Sequence, residues 1–304
     1  MDRFDDLPDN VKGSLILMLA AFGFALMVAL IKLVGARLPV FQILFVRQLG
    51  MTLMLAPVLL PSFARTMRTT RPWLQLVRVA LALVAMSCGF TAVIEMPLAD
   101  ATALGFAKGF FVTIFAVLVL RERVGPYRWG AVAIGFAGVL VMLRPGTEGF
   151  SVYGVLAVTG AAAAGAVMVI IRLLSRTEPT ATILAYQAIG VGLIMALPAW
   201  LEWITPTPRE WVLLGAIGIV SYYAQMANVV AYRYGEASLL ASLDYVRLVY
   251  ATALGWLLFG HLPGVSTWVG AAIIVLASIY TVQREARNRQ SLARGPDGRG
   301  FTNT

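Results

Sequence analysis

Polar residues along this chain collect in short clusters, and between them the sequence stays apolar for about 17 to 23 residues at a time. The runs do not alternate polar with apolar, as the strands of a membrane barrel would. They therefore read as helices, which satisfy their own backbone hydrogen bonds in lipid. Ten are predicted, at 13–35, 40–60, 73–93, 98–119, 127–143, 152–173, 181–201, 211–231, 237–259 and 266–282. Connectors such as ARLPV, MPLAD, VGPYR, TEPTA, TPTPRE and HLPGV carry the Pro and Gly expected of turns. Trp73, Trp129, Trp211 and Trp268 each open a run and are expected at the membrane–water interface.

Composition agrees with the pattern. Of 304 residues 60% are hydrophobic and 13% charged, more apolar surface than a soluble chain of this size can hide. The amino-terminal segment 1–12 is acidic and polar, without the basic region and cleavage site of a signal peptide, so the first run is expected to be retained. The tail 284–304 is basic and Gly-rich and is expected to be disordered. The lone cysteine, Cys88, is expected to be a buried structural thiol, and the sole histidine, His261, falls in a short loop. No His/Cys cluster suggests a metal, and no cofactor is implied.

Charge fixes the expected orientation. Arg3, Lys12, Arg65, Arg68, Arg71, Arg121, Arg123, Arg128, Arg172, Arg176, Arg233 and the five arginines of the tail fall on one side, against Arg37, Arg144 and Arg209 on the other. Both termini are therefore expected to be cytoplasmic in a bacterial-type inner membrane. Lys32, Arg47, Arg78, Lys108 and Arg247 remain within or at the ends of apolar spans.

The chain also repeats. KLVGARLPVFQILFVRQLG (32–50) aligns with RLLSRTEPTATILAYQAIG (172–190) at an offset of 140, pairing Lys32 with Arg172, Pro39 with Pro179 and Arg47 with Gln187. ATALGFAKGFFVTIFAVLVLRERV (101–124) aligns with LASLDYVRLVYATALGWLLFGHLP (240–263) at an offset of 139, pairing Lys108 with Arg247. The predicted fold is an all-α membrane protein of ten transmembrane helices in two inverted five-helix repeats, 13–143 and 152–282.

The endings LRERVGPYRWGAVAIGFAGVLVMLRP and GWLLFGHLPGVSTWVGAAIIVLAS of the two halves resemble those of the EamA-type drug/metabolite transporter superfamily. The segment TRPWLQLVRVALALVAMSCGFTAVIEMPLADATA is similar to bacterial S-adenosylmethionine uptake carriers of that superfamily. The resemblance implies a ten-helix carrier of small metabolites.

Ionised groups at mid-membrane cost about 2.5–3.5 kcal/mol each on insertion scales, so they call for a function or a partner. Lys108 and Arg247 each lie about ten residues into a predicted helix, at repeat-related positions. They suggest a shared cavity that receives an acidic group. Asp244, three residues before Arg247, offers the alternative of an internal pair. Lys108 has no carboxylate at that spacing; Asp100 lies two turns away. Arg78 is expected to snorkel to the interface, whereas Arg47 is expected to face the cavity or to pair with Glu95 or Asp100. Tyr222 and Gln225, with Tyr186 and Gln187, make polar stripes that line a wet cavity or join helices. Gly and Ala in GAAAAGAVMV (160–169) predict a close helix contact that allows sliding.

The function predicted is a secondary transporter, not an enzyme, moving a small organic metabolite with an acidic group, such as an amino acid or an S-adenosylmethionine-like compound. Lys108, Arg247, Asp244, Arg47, Tyr222, Gln225, Tyr186 and Gln187 are its candidate substrate-binding residues, and Asp100 and Asp244 its candidates for proton coupling. Alternating access would come from one five-helix half rocking against the other. The implied partners are the substrate and the bilayer, with no nucleic acid. The alternative, a membrane-embedded group-transfer enzyme, lacks a visible nucleophile–base pair or metal cluster.

Overall fold

The computed structural model describes residues 8–121, 125–146, 151–175, 177–234, 240 and 243–293. The described residues are helical, with no strand. The main helices are α1 (Asp9–Gly35), α2 (Val40–Leu59), α3 (Pro72–Glu95), α4 (Leu98–Gly105), α5 (Lys108–Leu120), α6 (Pro126–Leu143), α7 (Val152–Leu174), α8 (Thr180–Leu201), α9 (Pro208–Tyr234), α10 (Val246–Phe259) and α11 (Val265–Ala293). Six helical spans, one of them α4 and α5 together, are long and apolar enough to cross a membrane; α6, α10 and α11 contribute shorter apolar segments. This is a multi-pass membrane protein.

The predicted boundaries follow from local chemistry. Pro72 and Pro126 begin α3 and α6, where a missing N–H costs nothing. Pro39 and Pro179 immediately precede α2 and α8 at repeat-related positions. Ser151 caps α7 by accepting from the Tyr153 amide. Gly260 ends α10 with φ of 68°, a conformation glycine adopts without strain. The four tryptophans expected at interfaces are all exposed near helix starts. Cys88 is half-buried rather than buried.

Three expectations need correction. The predicted 98–119 helix is interrupted at Phe106 and Ala107, immediately before Lys108. The tail is helical to Ala293, past its expected limit, because REARNRQSLA is rich in good helix formers; residues 294–304 lie outside the described set. The halves also do not pack as separate blocks. α1 packs on α9 and α10, and α7 packs on α3 and α5, so the first helix of each half lies in the other half's bundle. α2 pairs with α8, and α6 with α11. Gly138 and Gly270 let the last pair come together closely: a Cβ on either would lie within 2.9 Å of the other's carbonyl oxygen.

Polar contacts fasten both ends of the bundle. At one end Arg37 Nε donates to Glu210 Oε1 at 2.7 Å and its Nη2 to the Thr205 carbonyl at 3.0 Å. Arg37 also pairs with Glu210 Oε2, and these bonds push the Glu210 carboxyl down to about 2. Gln42 exchanges two hydrogen bonds with the Ile204 backbone at 2.8 and 3.1 Å. At the other end Tyr186 Oη donates to the Met67 carbonyl at 2.9 Å. Glu178 there accepts from Thr69 Oγ1 at 2.9 Å and from the amide and hydroxyl of Thr70, each at 2.8 Å. Burial alone would raise the Glu178 carboxyl, but the bonds from Thr70 and Thr69 outweigh it and hold the group below its ordinary value.

Candidate functional site

Both repeats tighten their backbone at the cation. In the first, Phe106, Ala107, Gly109 and Phe110 donate their amides to carbonyls three residues back, at 3.0 to 3.2 Å. In the second, Arg247 and Leu248 donate to Asp244 and Tyr245, each at 3.0 Å. These are 3₁₀ turns inside otherwise α-helical runs, a geometry associated with hinges and functional sites. The Phe106 and Tyr245 rings meet with centroids 4.8 Å apart. Lys108 and Arg247 each follow their aromatic residue by two positions. Residues 237–239 and 241–242 of the expected 237–259 helix lie outside the described set.

Both cations line one cavity of 510 Å³, large enough for a metabolite. Gln187, Gln225 and Thr102 supply its other polar side chains, and Phe90, Met86 and Phe106 its bulky apolar ones. The volume comes from small residues, among them Ala82, Gly89, Gly105, Gly160 and Ala164. In the expected contact over 160–169, a Cβ at Gly160 would lie 3.0 Å from the Gly89 nitrogen. One at Gly165 would lie 3.0 Å from the Lys108 carbonyl oxygen and 2.8 Å from Phe111 Cβ. Bare backbone on α7 thus seats the turn that carries Lys108.

The two cations differ in company. Arg247 Nη2 bonds Asp244 Oδ1 at 2.7 Å, and its guanidinium lies 4.5 Å from the Phe24 ring centroid. The Lys108 ammonium is half-buried, within the electrostatic reach of Arg247 and Asp244, and has no hydrogen-bond or ion-pair partner among the described residues.

The remaining candidates are more dispersed. Arg47 is buried and pairs with neither Glu95 nor Asp100. Its Nε donates to Ser221 at 3.2 Å and its Nη1 to Gln48 at 2.8 Å, joining α2 to α9. It does not line the cavity, because both neighbours draw it between helices. Arg78 does not snorkel: it is 1% exposed, donating Nη1 to the Ile183 carbonyl at 2.7 Å and Nη2 to Gln187 Oε1. An acceptor on a neighbouring helix holds it inside. Tyr186 serves the connector contact already described, and Tyr222 packs edge-on against Tyr223 at 5.5 Å. Neither tyrosine lines the cavity. Asp100 bonds Thr267 on α11, leaves Oδ1 buried without a partner, and also lies outside the cavity lining. Lys32 secures the end of α3, donating to the Val93, Ile94 and Met96 carbonyls at 3.0, 2.8 and 2.6 Å.

Two residues that shape the site carry no local signal of that role. Arg78 and Gln48 act through Gln187, more than 100 positions away, a residue that the polar stripe with Tyr186 and the alignment of the halves bring to notice without naming these partners.

Comparison with known proteins yields a consistent set of relatives. Residues 11–144 and 152–283 each match the EamA-like transporter family. The chain is 33% identical over 270 residues to the pseudopaline exporter CntI of Pseudomonas aeruginosa, covering 88% of this chain and 94% of that one. It is 33% identical over 230 residues to a riboflavin transporter of Rhizobium johnstonii, covering 75% and 76%. It is 27% identical over 260 residues to an S-adenosylmethionine uptake transporter of Rickettsia prowazekii, covering 86% and 88%. One solved crystal structure shares the fold, with a TM-score of 0.60 at 20% identity over 92% of this chain and 99% of its own.

Proposed function

Because this chain belongs to the EamA-like transporter family, and is a small-molecule transporter rather than an enzyme, we propose that it is a secondary carrier whose substrate bears an acidic group held by Lys108. The observation that carries this reading is the unpartnered Lys108 ammonium facing a cavity it shares with Arg247. An uncompensated charge inside a membrane protein is costly, and a bound anion would offset that cost. Arg247 adds positive potential and orientation, while Asp244, its ion-pair partner, is a candidate to hold a substrate amine or a coupling proton when that pair opens. Asp100 is the second candidate for coupling. The substrate is an amino acid or an S-adenosylmethionine-like metabolite; riboflavin and pseudopaline, after which other relatives are named, belong in the same assay panel.

The ten spans form two inverted repeats. The pairings support this, since exchanging each helix with its counterpart turns the α1–α9 contact into the α7–α3 contact and the α1–α10 contact into α7–α5. The moving bodies are therefore mixed: α3, α4, α5 and α7 rock against α1, α9 and α10. Phe106 and Tyr245 lie where these bodies meet. The arginine-rich end faces the cytoplasm, and the membrane is the bacterial inner membrane.

The test is counterflow of labelled S-adenosylmethionine, riboflavin and amino acids in proteoliposomes. For whichever is carried, Lys108→Ala lowers exchange by about two orders of magnitude while the protein still purifies as a folded species. Unchanged exchange removes Lys108 from the site.

A further inference from the structure

We propose that the cavity is built for a solute with two separate acidic groups: Lys108 holds one, and the Gln187 side-chain amide, aimed by Arg78, reads the other. The proposal rests on the carrier reading above and narrows its substrate class.

Gln187 has a chemically dictated orientation. Arg78 donates Nη2 to Gln187 Oε1, and a guanidinium has donors only, so the amide oxygen must face Arg78 and the amide nitrogen must face away. Gln187 lines the cavity, and its Nε2 has no partner among the described residues. The N–H groups are therefore offered to whatever occupies the cavity. Behind them stands a second cation. Arg47 Nη1 donates to Gln48 Oε1 at 2.8 Å, and Gln48 Nε2 donates to the main-chain carbonyl of Gln187 at 3.3 Å. Arg47 is 4% exposed and Arg78 1%, and neither has a carboxylate among its described partners. A neutral acceptor would satisfy the Gln187 N–H groups but leave that positive wall uncompensated. A carboxylate answers both.

The rest of the lining fits the same solute. Among the described residues no side chain lining the cavity is a carboxylate; Asp244 is paired with Arg247. Lys108 belongs to the first half and Gln187 to the second, so a solute bridging them contacts both halves. Arg78 is a positioning residue: it acts through the amide it orients.

The experiment titrates purified full-length protein in detergent and reads thermal stabilisation. The probes are linear α,ω-dicarboxylates from malonate to sebacate, the matched monocarboxylates, and the half-amide of each diacid. At one chain length the diacid is expected to bind about tenfold more tightly than both its half-amide and its monoacid. Gln187→Glu keeps an oxygen on Arg78 but turns a negative acceptor to the cavity, so the preference for the diacid is lost or reversed. The double variant Arg78→Met, Gln187→Met removes the buried pair together, and the diacid-to-half-amide ratio falls to about one. Equal binding of diacid and half-amide at every length overturns the proposal, as does an absence of binding by either series, or a wild-type ratio in Gln187→Glu. Monoacid binding that Lys108→Ala abolishes, with no preference for diacids, overturns the second subsite while the carrier reading stands. Exchange that survives Lys108→Ala overturns the carrier reading itself.

Discussion

The Lys108 and Arg247 turns are built alike and charged differently. Each places a cation two residues after an aromatic ring, and the two rings touch. The second turn carries Asp244 three residues before its cation, whereas the first carries Gly105 at that position. One turn is thus an internally balanced ion pair and the other an open positive charge. The two halves present two corresponding positions, and a single acidic residue leaves one cation paired and the other without a partner among the described residues.

The most disruptive way to break the comparison is to open the closed turn. Asp244→Asn strips Arg247 of its carboxylate and leaves a second uncompensated cation, which should lower stability by about 2–4 kcal/mol. Adding Arg247→Gln should restore most of it. Thermal unfolding of the purified variants measures both. A full-strength single variant would mean that the pair contributes nothing.

The converse change closes the open turn. Gly105→Asp gives Lys108 a carboxylate at the spacing that Asp244 has to Arg247, and a Cβ at Gly105 meets nothing within 4 Å. Exchange should fall about ten- to a hundredfold with the fold retained, because an internal acid competes with the substrate for Lys108. Wild-type exchange would show that Lys108 need not be vacant.

The smallest effect lies far from both turns and serves as a control. Bonds from Thr70 and Thr69 hold the Glu178 carboxyl below its ordinary value of 4.5, so its contribution to stability is complete above that pH and is lost as pH falls through the lower folded value. The melting midpoint should therefore drop below about pH 4.5, and Thr70→Val should shrink that drop without altering exchange at pH 7. An equal acid-dependent drop in the variant would remove Glu178 as its source.

Much of this was legible along the chain. The apolar runs located the helices, since in lipid an apolar stretch of that length that does not alternate with polar residues satisfies its backbone only as a helix. The intramembrane charges pointed to Lys108 and Arg247, and the alignment of halves put them in register. What was not legible depends on neighbours distant in sequence. Arg78 reads as a snorkelling side chain until Ile183 and Gln187 are seen beside it. Arg47 reads as a cavity residue until Ser221 claims it. The polar stripe through Tyr222 and Gln225 splits, because residues three apart on a helix diverge by about 60° and only Gln225 faces inward. The exchange of first helices between halves leaves no trace in hydropathy, since a helix is equally apolar whichever bundle receives it.

Gly165 bears on how a carrier of this design keeps its steps in order. Its hydrogen in place of a side chain lets one repeat's opening helix rest against the peptide group of Lys108, the residue proposed to meet the cargo, in the other. No spacer absorbs a displacement there. On the proposed carrier reading, a tilt of that helix would pass directly to Lys108, gearing occupancy to gate position through backbone contact.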